Sequence, residues 1–293
     1  MKERTIYALG FFDGVHLGHQ ALLVACRQLA ESHGCKAGAV TFTTHPDGLV
    51  AGKTPALLNT TEDKVRLLYA YGMDTVVEMP FDKQLMTTSW RDFLRNLRAE
   101  GAVGFVCGDD FRFGYKGEGT AEILRQYCGA AGMPCAVVPQ QDVDGERISS
   151  TRIRSSLEQG DLAQVNRLLG HPLTLTGTVQ TGKQLGRTIG IPTANLFLPE
   201  GLIVPKFGVY ATKVVVGGKE YAAITNIGTR PTVSGQGVTV ESYLLDFDGD
   251  LYGKEITVAF CDFLRPEKKF DSLEELKAQI AADIVKVRTI LQS

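Results

Sequence analysis

Long hydrophobic runs are missing from the 293-residue sequence. None approaches the ~20 apolar residues that a membrane helix needs, and the charged N-terminus is followed by an apolar run too short for a signal peptide. An excess of one charge is missing too. Lys and Arg number 31 against 33 Asp and Glu, a net charge of −2 with the basic residues scattered, which excludes the broad positive footprint of a nucleic-acid binder but not small anionic ligands. The six cysteines (Cys26, Cys35, Cys107, Cys128, Cys135, Cys261) include no C-x-x-C pair. They fall mostly in apolar helix or strand patterns, so they are read as reduced thiols of a cytoplasmic protein and given no chemistry. Repeats and low-complexity tracts are absent, and the length suffices for two cores.

What is present begins with Gly10-Phe11-Phe12-Asp13-Gly14-Val15-His16-Leu17-Gly18-His19. It joins a short apolar strand, Thr5 to Leu9, to a helix in which Leu22, Cys26 and Leu29 recur until Gly34. Unpaired backbone N–H groups at a helix start favour anions, and Gly18 lets a phosphate approach without meeting a side chain. His16 and His19, three positions apart, can point to one side of the first turn and share a charged oxygen. A single histidine at this place also reads as a helix cap.

Strands and helices then alternate. A strand over 37–42 feeds Thr43-Thr44-His45-Pro46, where His45 fits either a ligand-facing or a structural role. Leu67 and Leu68 lie in a helical segment ending at Gly72, Thr75-Val76-Val77 is strand-like, and Ser89 can cap a helix bearing Trp90, Phe93, Leu94 and Leu97. Further strands are expected over 103–107 and 136–138. This β–α–β pattern implies a mainly parallel sheet covered on both faces. Gly108-Asp109-Asp110-Phe111-Arg112-Phe113-Gly114 follows the 103–107 strand and can hold a flat ring beside a phosphate, or be a loop with buried phenylalanine anchors. In Arg147-Ile148-Ser149-Ser150-Thr151-Arg152-Ile153-Arg154, hydroxyls and guanidinium groups gather at a helix entrance. That composition makes a triphosphate-binding surface or a plain N-cap with solvated arginines.

Asp161 can cap a helix that ends at Gly170-His171-Pro172, and there the pattern changes. Short β-rich runs over 173–179, 208–216, 221–225, 238–245 and 255–260, with a hairpin turn at Gly217-Gly218, predict a compact antiparallel barrel. The domains are therefore drawn as 1–170 and 171–293. Glycines around Lys183 and Arg187 permit a phosphate cradle without P-loop spacing. Thr193 and Asn195 present hard oxygens of the kind Mg²⁺ accepts, or sit in a turn. Glu241 and Tyr243 share one face of a strand; a carboxylate there can accept a hydroxyl proton, or be simply solvated. Ser272 to Glu275 forms a capping box, and Leu273, Leu276, Ile280, Ile284, Val287 and Leu291 make a stripe for packing across the barrel.

The 10–19 run, the 108–114 run and the I-S-S-T-R-I-R run resemble the nucleotidyltransferase half of the bacterial bifunctional riboflavin kinase/FMN adenylyltransferase (FAD synthetase) family. The run Gly182-Lys183-Gln184-Leu185-Gly186-Arg187 through Pro192-Thr193-Ala194-Asn195 resembles its kinase half. The resemblance implies an α/β Rossmann-like nucleotidyltransferase domain followed by a small antiparallel β-barrel domain with a C-terminal helix. It implies phosphorylation of riboflavin to FMN by ATP with Mg²⁺, leaving ADP, and then adenylylation of FMN by a second ATP to FAD plus pyrophosphate. Neither nucleic acid nor membrane is an expected partner.

In the first site the resemblance implies nucleotide contacts from Gly10, Asp13, His16, Gly18, His19, Arg147, Ser150, Thr151 and Arg154, with His16 and His19 catalytic. It implies flavin contacts from Asp110, Phe111 and Phe113, with 117–120 as a mobile cover. In the second it implies that Gly182, Lys183, Gly186, Arg187, Thr193 and Asn195 hold the nucleotide, with Thr193 and Asn195 on the metal. Glu241 is then the carboxylate acting on the 5′-hydroxyl of riboflavin, and Arg265 a second flavin contact. The 226–232 run also matches a family signature and is assigned to loop geometry. Two residues depart from the family pattern: Phe11, where a small polar residue, often Asn, is usual, and Thr44 in a loop that usually reads T-F-x-P-H-P. They frame the rival expectation, a riboflavin kinase with weak or lost adenylyltransferase activity.

Overall fold

The computed structural model describes residues 3–50, 52–181, 190–232 and 235–292. It divides into two compact units, Met1–Leu57 with Thr61–Ser150, and Leu58–Thr60 with Thr151–Ser293.

In chain order the first unit carries β1 (Thr5–Leu9), α1 (Leu17–Ser32), β2 (Lys36–Phe42), α2 (Pro46–Val50), α3 (Thr61–Ala70), β3 (Thr75–Met79), α4 (Lys83–Thr87), α5 (Trp90–Ala99) and β4 (Ala102–Gly108). It continues with β5 (Arg112–Phe113), β6 (Gly119–Thr120), α6 (Ala121–Ala130), β7 (Cys135–Val138), β8 (Asp142–Val143) and β9 (Glu146–Arg147). The main sheet runs β3-β2-β1-β4-β7 with every pairing parallel. All five residues of β1 are buried, and successive side chains of a strand point to opposite faces. Ile6 and Ala8 accordingly join a core with Leu23 and Cys26 of α1 and Leu68 of α3. Tyr7 and Leu9 join a second core with Phe93 and Leu97 of α5 and Leu124 of α6. The strand order reverses beside β1, so the chain leaving β1 at Gly10 and the chain leaving β4 at Asp109 emerge next to each other at the carboxyl edge, where such sheets take ligands.

Segment 117–120, expected as a mobile cover, makes local contacts. Gly119 and Thr120 pair with Phe113 and Arg112, and the Thr120 hydroxyl accepts from Ile123 N at 3.3 Å as the N-cap of α6.

The second unit carries α7 (Ser150–Gln159), whose first residue belongs to the first unit, then α8 (Leu162–Leu169), β10 (Leu173–Thr178), β11 (Ala194–Phe197), β12 (Gly208–Val216), β13 (Lys219–Thr232), β14 (Gly235–Leu244), β15 (Glu255–Arg265) and α9 (Leu273–Gln292). Asp161 caps α8 by accepting from Gln164 N at 3.0 Å, and Gly170 ends it with φ 74°. From α8 the Asn166 side chain donates to Phe260 O at 2.8 Å and accepts from Leu173 N at 2.9 Å, tying the helix to the barrel strands. The six strands run β10-β15-β12-β13-β14-β11, and Gln180 N donates to Asn195 O at 2.9 Å, where the two edges meet. Gly217 and Gly218, at φ 55° and 81°, make the tight turn between β12 and β13 that only a positive φ allows. Within the barrel the hydroxyls of Thr212, Thr225 and Ser242 bond in sequence at 2.7 and 2.8 Å, so these fully buried polar groups are satisfied.

Run 226–232, read as loop geometry, is the second half of β13, paired with β14 from Asn226↔Glu241 to Thr232↔Gly235. Ala194 to Phe197 is likewise a strand rather than a turn. On α9, Ile280, Ile284, Val287 and Leu291 pack with Val209, Ala211, Ile224 and Leu245, as the stripe requires, but Leu273 is exposed.

Candidate active sites

In the first unit the chain turns sharply between β1 and α1. Phe12 and Val15 hold left-handed φ values of 57° and 41° flanking Gly14 at 80°, a conformation costly for a β-branched residue. Complete burial of the Phe12 and Val15 side chains offsets that cost. His16 is the N-cap of α1, its Nδ1 accepting from His19 N at 3.3 Å, so its proton sits on Nε2. The capping reading of His16 is thus observed, and the same geometry stacks its ring on His19 at 3.6 Å between centroids and 14° between planes. A Cβ on residue 18 would lie 3.2 Å from His16 Nδ1 and Cε1, and Gly18 leaves that room.

Burial, the His16 ring and the Lys64 ammonium hold His19 well below its ordinary pKa of 6.5. Its Nδ1 is buried and has no hydrogen-bond partner among the described residues, and a buried polar atom of that kind calls for one. Gly10, Asp13 and Ser150 complete this edge: Ser150 Oγ donates to Asp13 O at 3.0 Å, and Gly10 N donates to Val40 O at 3.2 Å. Thr151 is exposed and Arg154 half-buried on α7, counted with the second unit.

Beyond β4, exposed Arg147 forms an ion pair with Asp110. Phe111 stacks on Phe113 at 5.7 Å, and Phe113 is itself buried against Phe93. Gly114 fixes this run, with φ 74° and a hypothetical Cβ only 2.5 Å from Trp90 N. Gly114→Ala is therefore expected to destabilise the first unit by about 1–3 kcal/mol, seen in chemical denaturation of the full chain as an earlier first transition.

The departures are absorbed locally. The Phe11 ring meets His45 edge-on at 4.6 Å between centroids, and Thr44 Oγ1 accepts from Phe81 N at 3.2 Å. Sequence reasoning missed Lys64. It is 4% exposed, donates to Phe42 O at 2.7 Å and stands 4.2 Å from the Phe11 ring centre.

In the second unit, Asn195, Glu241 and Asn226 lie side by side across β11, β14 and β13. Glu241 and Tyr243 line one cavity of about 310 Å³, bounded also by Thr193, Arg265 and, from α9, Ile280 and Asp283. Thr193 and Asn195 also line a second cavity of about 540 Å³ closed by Asp248, Asp250 and Tyr252. Thr193 is thus on the wall common to both. Asn195 Nδ2 donates to Thr193 O at 3.1 Å, turning the amide oxygen the other way. The Arg265 guanidinium donates to Asp283 Oδ2 at 2.9 and 3.0 Å, and Gln279 donates to Oδ1 at 3.0 Å. Fully buried Asp283 is thereby compensated, and it is a second residue that the sequence reading overlooked. Gly182, Lys183, Gly186 and Arg187 lie outside the described residues.

No cluster of three or more His, Cys, Asp or Glu among the described residues could hold a metal ion. The Thr193 hydroxyl and Asn195 amide oxygen are neutral donors, and they fit a hard cation whose other ligands are nucleotide phosphates and water.

Residues 1–152 match the FAD synthetase family and residues 169–291 the riboflavin kinase family. Over 282 residues the chain is 38% identical to a bifunctional riboflavin kinase/FMN adenylyltransferase of Listeria monocytogenes, covering 95% of this chain and 90% of that one. Over 291 residues it is 39% identical to the Escherichia coli K12 protein of the same name, covering 98% and 93%. A crystal structure of a Streptococcus pneumoniae protein described as a macrolide-efflux protein is similar with a TM-score of 0.86 and 31% identity, covering 98% of this chain and 95% of that one. Among the described residues no helix is long and apolar enough to cross a membrane.

Proposed function

The chain belongs to the family of bifunctional riboflavin kinases/FMN adenylyltransferases and carries both activities, phosphorylating riboflavin to FMN and adenylylating FMN to FAD; on that premise we propose which residues perform each step. The observation that carries the kinase assignment is the position of Thr193 on the wall shared by the two cavities. Riboflavin occupies the smaller one, between the outer face of β14 and α9, held by Arg265. ATP phosphates occupy the larger one, with Gly182, Lys183, Gly186 and Arg187 as further contacts. The 5′-hydroxyl then meets the γ-phosphoryl group beside Thr193, and Glu241 takes the hydroxyl proton as the P–O bond forms and ADP leaves. Mg²⁺, held by Thr193 and Asn195 together with the phosphates, would supply neutralisation of charge on the transferring group.

In the other half a phosphate oxygen of FMN attacks the α-phosphorus of ATP and pyrophosphate leaves. His16 and His19 receive the displaced charge, with Gly10, Asp13 and Gly18 shaping the turn and Arg147, Ser150, Thr151 and Arg154 on the phosphates. Phe111 meets the flavin with Phe113 behind it, and Asp110 orients Arg147. Both reactions are displacements at phosphorus, so positioning and charge stabilisation supply most of the rate. We draw the functional boundary at 170/171. The start of the riboflavin kinase match at 169 supports it, while the FAD synthetase match ends at 152 and the compact units divide at 150/151. Six free thiols support a reducing, cytoplasmic location.

Incubating the full chain with riboflavin and MgATP and separating the products by chromatography is expected to give FMN first, then FAD with pyrophosphate. Excess EDTA is expected to stop phosphorylation and added Mg²⁺ to restore it. FMN without FAD, even when FMN is supplied, would establish the kinase-only reading. Against that reading stands the packing of Phe11 on His45 and Lys64, which takes the aromatic ring into local contacts.

A further inference from the structure

Lys64 occupies α3 one turn before Leu68, and both side chains are almost wholly removed from water, at 4% and 0% exposure. A methionine or leucine would fill such a place without the cost of desolvating a charge. The ammonium nevertheless makes two contacts that an apolar side chain cannot. It donates to Phe42 O, where β2 ends, at 2.7 Å, and it faces the Phe11 ring at 4.2 Å. Phe11 in turn contacts His45, and the Phe11 carbonyl accepts from Thr41 Oγ1 at 2.9 Å. Lys64 thus binds together the two segments that leave the sheet as β1 and β2.

The charged surroundings are mixed. Asp13 before α1 and Glu78 on β3 attract the ammonium. On α3 itself Asp63 lies 3.6 Å from Arg66, and His45 lies 3.7 Å from Asp47 of α2. Toward His19, which stacks on His16, the ammonium acts as a like charge and helps keep the imidazole neutral.

We propose that Lys64 is a positioning residue for adenylyl transfer, fixing Phe11 and the end of β2 and supplying the buried positive background against which His16 and His19 receive the ATP phosphates. The inference rests on the adenylyltransferase site as assigned above. Its logic is electrostatic. A charge kept in a low-dielectric setting is felt at longer range than one in water, and an arriving triphosphate stabilises both the ammonium and a protonated imidazole. Burial outweighs Asp13 and Glu78 and brings the Lys64 pKa down to about 8. The group is therefore charged below that pH and neutral above it. Adenylylation should lose kcat/KM for ATP as pH rises through about 8.

The test uses the full chain with FMN and MgATP, with riboflavin phosphorylation by the same preparation as the internal measure of folding. Lys64→Met is expected to lower kcat/KM for ATP in adenylylation by about 10- to 100-fold, the scale of a hydrogen bond to a charged group. Phosphorylation should be unchanged, the thermal midpoint no lower and the alkaline fall gone. Lys64→Arg, charged to far higher pH, should move that fall upward. Adenylylation within twofold of the parent in Lys64→Met overturns the proposal. So does a parent profile that stays flat through pH 8, whatever the variants do. If Lys64→Met proves unstable, the shift or persistence of the alkaline fall in Lys64→Arg decides. His16→Asn separates the two levels of the claim: FAD formation surviving in that variant removes the site assignment itself, whereas its loss beside unaffected Lys64 variants removes only the role of Lys64.

Discussion

Glu241→Gln is expected to lower kcat for riboflavin phosphorylation by about 10²–10⁴-fold, the range for loss of a general base, while adenylylation of supplied FMN continues at its normal rate. The amide keeps the shape and length of the side chain, so its place between Asn195 and Asn226 in the strand register is preserved. The cavity lined by Tyr243 and Arg265, proposed above to take the flavin, is also expected to persist. KM for riboflavin should therefore change little and the loss should fall on kcat, as expected when an interaction made only in the transition state is removed. Starting from riboflavin, neither FMN nor FAD should accumulate. Equal losses in both activities would instead mean that the substitution damages the chain generally, and an unchanged kcat would remove Glu241 from the chemistry.

The second large effect belongs to the histidines. His19→Ala and His16→Asn are each expected to lower FMN adenylylation by about 10²–10³-fold, the scale of one lost transition-state donor, with riboflavin phosphorylation unchanged. Asn is chosen at position 16 because His16 caps α1. An alanine would add ~1 kcal/mol of lost capping, whereas Asn is among the best N-caps. The double variant should lose less than the product of the two single losses, because the rings are stacked and act as a unit. Burial, His16 and Lys64 all oppose a proton on His19. The His19 imidazole, followed by NMR in the chain without ligand, should therefore stay neutral as pH falls through 6.5 and take up its proton only below it. A titration midpoint at 6.5 or above would show that the imidazole is not shielded in this way.

All three variants change residues that are conspicuous in the sequence, and the reason lies in where they sit. Thr5 to Leu9 is a short, mostly apolar run between the charged Glu3-Arg4 and Gly10, and it is β1 with the bounds expected. Gly208 to Val216 with its Gly-Gly turn is likewise β12. Caps at Ser89, Asp161 and Ser272 form because short polar side chains there have no better local partner than the helix start. Illegible stretches are those where tertiary pairing overrides local preference. β13 continues through Asn226, Gly228 and Pro231, residues that strands usually avoid, because β14 pairs with it along that whole length. β11 follows Pro192 and contains Asn195, so it reads as a turn until its partner strand is known.

Lys64 and Asp283 were missed for another reason. Each is a charged residue on an apolar helical stripe, Lys64 four before Leu68 and Asp283 between Ile280 and Val287. A charged residue on the buried face is the available signal, and periodicity alone does not distinguish it from surface charge.

β11 is a sheet edge. Its ladder is made with β14 on one side, and on the other, among the described residues, it has a single bridge, Gln180 to Asn195. Edge segments open locally at a lower free energy than strands held on both sides. Amide protons of 194–197 should consequently exchange with deuterated solvent sooner than those of β12 or β13, and nucleotide bound through Thr193 and Asn195 should slow them. Ligand occupancy would then be written into the slowest motions of the barrel rather than into its average shape.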